Sequence, residues 1–129
     1  MKRYGIYLFM VVMIAILVIH YSIKINNMEK NRKYDSIINQ VITIENLKLA
    51  EQGLVSKENI MPREVIGTVI YADGKYVRLI YELKPNKQAD VYYEFNEMTN
   101  TYIEMKYISD EVWSLLDEGD DYKENIEIK

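Results

Sequence analysis

The chain has 129 residues, a formal net charge of −4, 12 tyrosines, one histidine and no cysteine. The absence of cysteine excludes disulfides and thiolate metal sites, and the single histidine, His20, leaves residues 34–129 without an imidazole for a nucleophilic triad or a zinc site. Charge is divided unevenly: residues 1–33 carry six basic residues and one acid, whereas residues 34–129 carry 10 basic and 19 acidic residues, a net charge of −9 that excludes non-specific nucleic-acid binding.

The first element is the apolar run Tyr4–Ile23, 20 residues without Asp, Glu, Lys or Arg. As a helix it would span roughly 30 Å, the thickness of a bilayer's hydrocarbon core. Lys2 and Arg3 precede it, and the run ends in His20-Tyr21-Ser22-Ile23 with no small-residue cleavage pair. Residues 1–25 are therefore read as a retained signal-anchor helix that crosses the membrane once, rather than as a cleaved signal. The flanking charges conflict over orientation, since Lys24, Lys30, Arg32 and Lys33 outnumber Lys2 and Arg3. The very short basic N-terminus favours a cytoplasmic start and an extracytoplasmic domain. His20, beside Tyr21, reads as a polar ring at the headgroup level.

Residues 26–33 are polar and read as a linker or a continuation of the helix; residues 34–129 read as a small acidic α+β domain. From Tyr34 to Gln52, apolar residues at Tyr34, Ile37, Val41, Ile44 and Leu47, widened by Ile38 and Ile42, predict an amphipathic helix. The β-branched Val41–Ile44 stretch pulls locally toward strand. Gly53 supplies a left-handed C-cap with Leu54 behind it. Ser56–Asn59 reads as a capped turn, and Pro62 blocks further helix.

Four segments rich in Val, Ile and Tyr follow, at 64–72, 75–83, 90–96 and 101–108. Asp73-Gly74 suits a type I′ hairpin turn. Pro85-Asn86-Lys87 and Glu97–Asn100 make the next two connections. Period-two alternation assigns Val77, Leu79, Tyr81 and Leu83, then Val91, Tyr93 and Phe95, then Ile103, Met105 and Tyr107 to a buried face. The expected fold is thus an N-terminal transmembrane helix, then an amphipathic helix packed on a four-stranded antiparallel meander with a short C-terminal helix at 109–118. Ile126 and Ile128 are candidates for a brief edge strand.

Chemistry in the domain is sparse. It has no phosphate-cradling glycine motif. The acids around Gly119 miss the spacing of a calcium loop, because the sixth and twelfth positions from Asp117 are Tyr122 and Ile128. No catalytic residue, cofactor or metal is expected. By the alternation above, Tyr76, Arg78, Tyr92 and Tyr102 fall on the solvent face of the meander, where aromatic rings can stack on a sugar or pack a peptide. They are the candidate binding residues.

The basic start, single apolar helix, helix closing at Gly53 and Tyr-rich meander (KYVRLIYELKP, DVYYEFN, TYIEMKY) together resemble small membrane-anchored proteins of unknown function from low-GC Gram-positive bacteria. More distantly, residues 1–108 resemble the helix-plus-meander of PepSY-like extracytoplasmic domains. The resemblance implies a tethered, non-enzymatic accessory or inhibitory role in the cell envelope; the exposed sheet face is where a protein, peptide or glycan partner is expected. Two other readings remain: a passive structural subunit of a secretion or conjugation apparatus, and a hydrolase using paired carboxylates.

Overall fold

The computed structural model describes residues 2–126 and divides the chain into two compact units, Met1–Lys33 and Tyr34–Lys129. Helix α1 (Lys2–Glu51) runs through the whole of the apolar stretch and the polar residues after it. Within the first unit it is long and apolar enough to cross a membrane, and its apolar side chains are uncovered: Phe9 is 66% exposed and Leu17 64%.

In the second unit α1 becomes one-sided. Tyr34, Ile38, Val41, Ile42 and Leu49 are buried along one helical stripe, with Glu45 filling the step between Ile42 and Leu49. The β-branched stretch stays helical because this stripe is covered by a sheet, and tertiary burial outweighs the local preference of Val41–Ile44. The stripe differs from the expected one at its C-terminal end. Leu47 points to solvent at 60% exposure, while Glu45 and Asn46 are buried in its place. Asn46 holds the following loop in both directions, donating to Met61 O and accepting from Met61 N, each at 3.0 Å. The helix ends at Gly53 (φ 73°), with Leu54 N–H on Leu49 O and Gly53 N–H on Ala50 O, the paired bonds of a Schellman cap. Asn59 N–H then closes the turn on Ser56.

The sheet has five strands, one more than the alternation predicts. They are β1 (Gly67–Tyr71), β2 (Tyr76–Lys84), β3 (Lys87–Asn96), β4 (Thr101–Glu104) and β5 (Tyr122–Glu124). All pairings are antiparallel, in the order β4-β3-β2-β1-β5. The first strand starts later than expected because Arg63–Val65 form a 3-10 turn after Pro62. Asp73 (φ 53°) and Gly74 (φ 98°) both lie at positive φ under an Lys75 N–H to Ala72 O bond, the geometry a type I′ turn requires. The third strand starts earlier than expected, because Pro85-Asn86 alone makes the turn and Lys84 pairs directly with Lys87.

The fifth strand comes from the tail. It lies at 122–124, before Ile126; Ile128 lies outside the described residues. To travel from β4 at one edge to β5 at the other, the chain must recross the sheet. It does so through helix α2 (Asp110–Asp117), capped by Ser109 Oγ accepting from Val112 N–H at 3.3 Å. The sheet therefore has two covered faces. One lies under α1 and holds Ile66, Ile70, Val77, Leu79, Tyr81 and Tyr93. The other lies under α2 and holds Val69 and Tyr76, with Leu116 buried from the helix.

Candidate functional site

Three of the four candidate binding residues share one face. The register sets Arg78 opposite Tyr92 and Tyr76 opposite Glu94, so Tyr76, Arg78 and Tyr92 all stand on the α2 side. Tyr76 is only 4% exposed there and offers nothing to a ligand. Arg78 and Tyr92 remain partly open. The Trp113 ring meets Tyr92 edge-on at 5.5 Å, and the Arg78 guanidinium lies 5.4 Å from the Tyr92 ring centre. Arg78 is also held by Asp90 through two bonds of 2.8 and 2.6 Å, which raises its pKa; burial opposes the shift, and Asp90's charge adds to it. The Tyr92 hydroxyl is raised mainly by burial, against the lowering effect of Arg78. The cluster is a half-open aromatic step beside a paired cation, roofed by the 43%-exposed Trp113.

Tyr102 is not part of it. The strand register pairs Phe95 with Tyr102 and Tyr93 with Glu104. That turns Tyr102 onto the α1 face, where it is 5% exposed, packs edge-on to Phe95 at 5.3 Å and donates its hydroxyl to Gly74 O. Burial raises its pKa to about 12. The alternation in β4 is sound, but the Glu97–Asn100 turn reverses which set faces inward, and Ile103 is left 47% exposed. Moving a strand by one residue exchanges its faces, and a run of four residues carries too little pattern to reveal the exchange.

The most concentrated chemistry lies where the sequence reading placed none. Glu45 is fully buried on the α1 stripe. Tyr81 donates to its Oε1 at 2.5 Å, Tyr93 donates to its Oε2, and Lys48 Nζ lies 3.0 Å from Oε1. Lys48 also reaches Glu104 at 3.0 Å, so one ammonium bridges two carboxylates. Burial, followed by the hydrogen bond to Glu45 and its charge, pushes the Tyr81 and Tyr93 hydroxyls well above the usual phenol range. Burial lowers the Lys48 pKa, but its bonds to Glu45 and Glu104 outweigh this and raise it overall. Both oxygens of Glu45 are engaged and neither meets solvent, so the group holds α1 to β2 and β3. One sequence signal pointed to it. Glu45 sits four residues after Val41 and four before Leu49, on the buried stripe itself.

A second clamp ties the ends of the domain together. Arg63 makes two bonds to Glu124 of β5, at 2.6 and 2.9 Å, and a 2.6 Å ion pair to Asp35 of α1. The Arg63 bond is the main cause of the lowered Glu124 pKa. A groove of about 680 Å³ opens nearby, lined by Glu64, Gly67, Ile80, Glu82 and Lys87 among others. Gly67 lets the tail cross here, since a Cβ would stand 3.2 Å from Ile126 Cγ1 and 3.3 Å from Ile80 O. Among the described residues no cluster of three or more His, Cys, Asp or Glu side chains could hold a metal ion.

No family model matches the chain, and no curated protein matches it. Among solved structures, a DUF4467 family protein from Staphylococcus aureus subsp. aureus Mu50 is similar, with a TM-score of 0.50 and 20% sequence identity over 77% of this chain and 98% of that one. The likeness shows the fold, a helix with an antiparallel sheet, shared with a small uncharacterised protein of a low-GC Gram-positive bacterium.

Proposed function

We propose that the protein is a membrane-tethered, non-catalytic interaction module of the bacterial cell envelope, with residues 4–23 crossing the bilayer once and the domain outside. The observation that carries this reading is the uncovered apolar surface of α1. Side chains from Tyr4 to Ile23 such as Phe9, Val11, Leu17, Val18 and Ile19 are each 59–66% exposed. Leaving a Leu, Ile or Phe in water instead of burying it forgoes roughly 1.5–3 kcal/mol per side chain. A bilayer supplies the missing cover along the full run.

The non-catalytic part of the reading is supported by the fate of the acids. Glu45 and Glu104, joined through Lys48, are tied into the clamp under α1, and Asp90 is tied to Arg78. Contact with a protein, peptide or glycan partner is assigned to the step formed by Tyr92, Arg78 and Trp113.

Proteinase treatment of intact protoplasts tests the tether and its orientation together. The domain should be digested from outside, while a fragment containing residues 4–23 stays in the membrane through alkaline carbonate washing. A domain protected until lysis would reverse the orientation, and release of the whole chain by carbonate would overturn the tether.

A further inference from the structure

We infer that the free edge of β4 pairs with the β4 edge of a second copy of this chain, antiparallel about Met105. The inference does not depend on the membrane reading. It starts from the reversed faces of β4. Ile103, Met105 and Tyr107 have the alternation of a buried set, yet the register turns Ile103 outward at 47% exposure, and Tyr107 is 81% exposed.

The β4 edge has backbone groups to offer. Met105 N–H donates to Tyr92 O at 2.8 Å, which continues the ladder one residue past Glu104. In an antiparallel ladder the inward and outward backbone groups alternate. Those of Ile103 and Met105 face β3, so those of Tyr102 and Glu104 point away from the sheet, and Lys106 follows in the same phase. The opposite edge, β5, is three residues long and carries Lys123, a common way of blunting an edge.

The sequence across this edge, Tyr102-Ile103-Glu104-Met105-Lys106-Tyr107-Ile108, is complementary to itself when reversed. With Met105 opposite Met105, Glu104 meets Lys106, Ile103 meets Tyr107 and Tyr102 meets Ile108. The charge pair and the two aromatic-to-β-branched pairs are the cross-strand combinations that stabilise sheets. The register also respects the alternation, because the edge-facing backbone groups of Glu104 are set against those of Lys106. Centring the pair on Glu104 would oppose two carboxylates. In the Met105-centred register each Glu104 would lie between its own Lys48, already 3.0 Å away, and the Lys106 of the other copy. On the α2 side, Ile103, Met105 and Tyr107 of the two copies would form one apolar stripe. Pairing requires the bend at Lys106-Tyr107 to straighten. Both side chains are exposed, and among the described residues neither makes a hydrogen bond or ion pair, so little opposes the change.

The chain has no cysteine, so single-cysteine variants report the pairing directly. Full-length protein in mild detergent is oxidised and the covalent dimer measured. Met105→Cys should form a disulfide-linked dimer, whereas Ser56→Cys should remain monomeric. Ile103→Cys alone should also remain monomeric, because its copies would stand about 13 Å apart at ~3.4 Å per residue, beyond disulfide reach. A mixture of Ile103→Cys and Tyr107→Cys chains should link to each other, a test that leaves the half-buried Met105 untouched. Adding Lys106→Glu to Met105→Cys should slow dimer formation roughly tenfold, since two attractive cross-strand pairs become repulsive. Absence of a dimer from both M105C and the I103C/Y107C mixture would overturn the inference. So would equal linking by S56C, or linking by I103C alone.

Discussion

The two faces of the sheet are covered by helices of very different reach, and they are held differently. The α1 face closes over a saturated polar group: Glu45 is fully buried and receives two tyrosine hydroxyls and an ammonium, on the same face as the core of Ile38, Val41, Val77 and Leu79. The α2 face rests on an eight-residue helix, one buried leucine and a half-open Trp113–Tyr92 contact. A buried carboxylate fixes one arrangement because removing any partner leaves a desolvated charge or hydroxyl behind. An aromatic contact at the surface tolerates rearrangement. The first face is therefore the scaffold, and the second is the more adaptable of the two.

Removing the carboxylate should break this contrast most sharply. Glu45→Ala strands two buried hydroxyls and Lys48 and opens a void, and should destabilise the domain by about 3–5 kcal/mol. Urea unfolding of the full chain in detergent checks this. A loss below ~1 kcal/mol would mean that the two faces are held alike.

Alkaline pH should attack the same face with a smaller effect per group. Burial, followed by the bond to Asp73, raises Tyr34 from 10.0 to about 12, and burial raises Tyr102 to about 12. Both folded values lie above the unfolded one. The stabilisation is thus fully present below pH 10 and is lost as pH rises through about 12. Ultraviolet titration of the phenolates together with unfolding midpoints should show stability falling in that window. A titration finished near pH 10 would remove the basis for treating these hydroxyls as buried.

The smallest effect is expected on the second face. Trp113→Ala removes a 43%-exposed ring and its contact with Tyr92. It should reduce stability by about 1–2 kcal/mol. Tryptophan-free near-ultraviolet circular dichroism should still report an ordered tyrosine core. Global unfolding by this substitution would show that α2, and not α1, carries the scaffold.

Much of the fold could be read directly from residue order. Long apolar runs, helical stripes and turn pairs are local signals, and the exposed length of α1, the Gly53 cap, the Asp73-Gly74 turn and the inward set of β2 and β3 all follow from them. The candidate site was less legible. Tyr76, Arg78 and Tyr92 were placed on a common face because strand alternation is local, but the helix that roofs them comes from 18 to 41 residues later in the chain.

What the sequence determined by itself was therefore periodicity: which residues repeat with a helix or a strand, where the chain turns, and how charge is divided between residues 1–33 and 34–129. What only the tertiary structure decided was pairing across distance. The turn after Asn96 chose which side of β4 faces α1, and so buried Tyr102 and exposed Ile103. The return of the tail beside β1 added a fifth strand and carried α2 across the second face. Glu45 is an ordinary acid on a helix until Tyr81 and Tyr93, 36 and 48 residues away, meet both of its oxygens. The physical reason is that hydrogen-bond satisfaction and strand register depend on contacts between distant residues, and the energies that select them are absent from any short window of sequence.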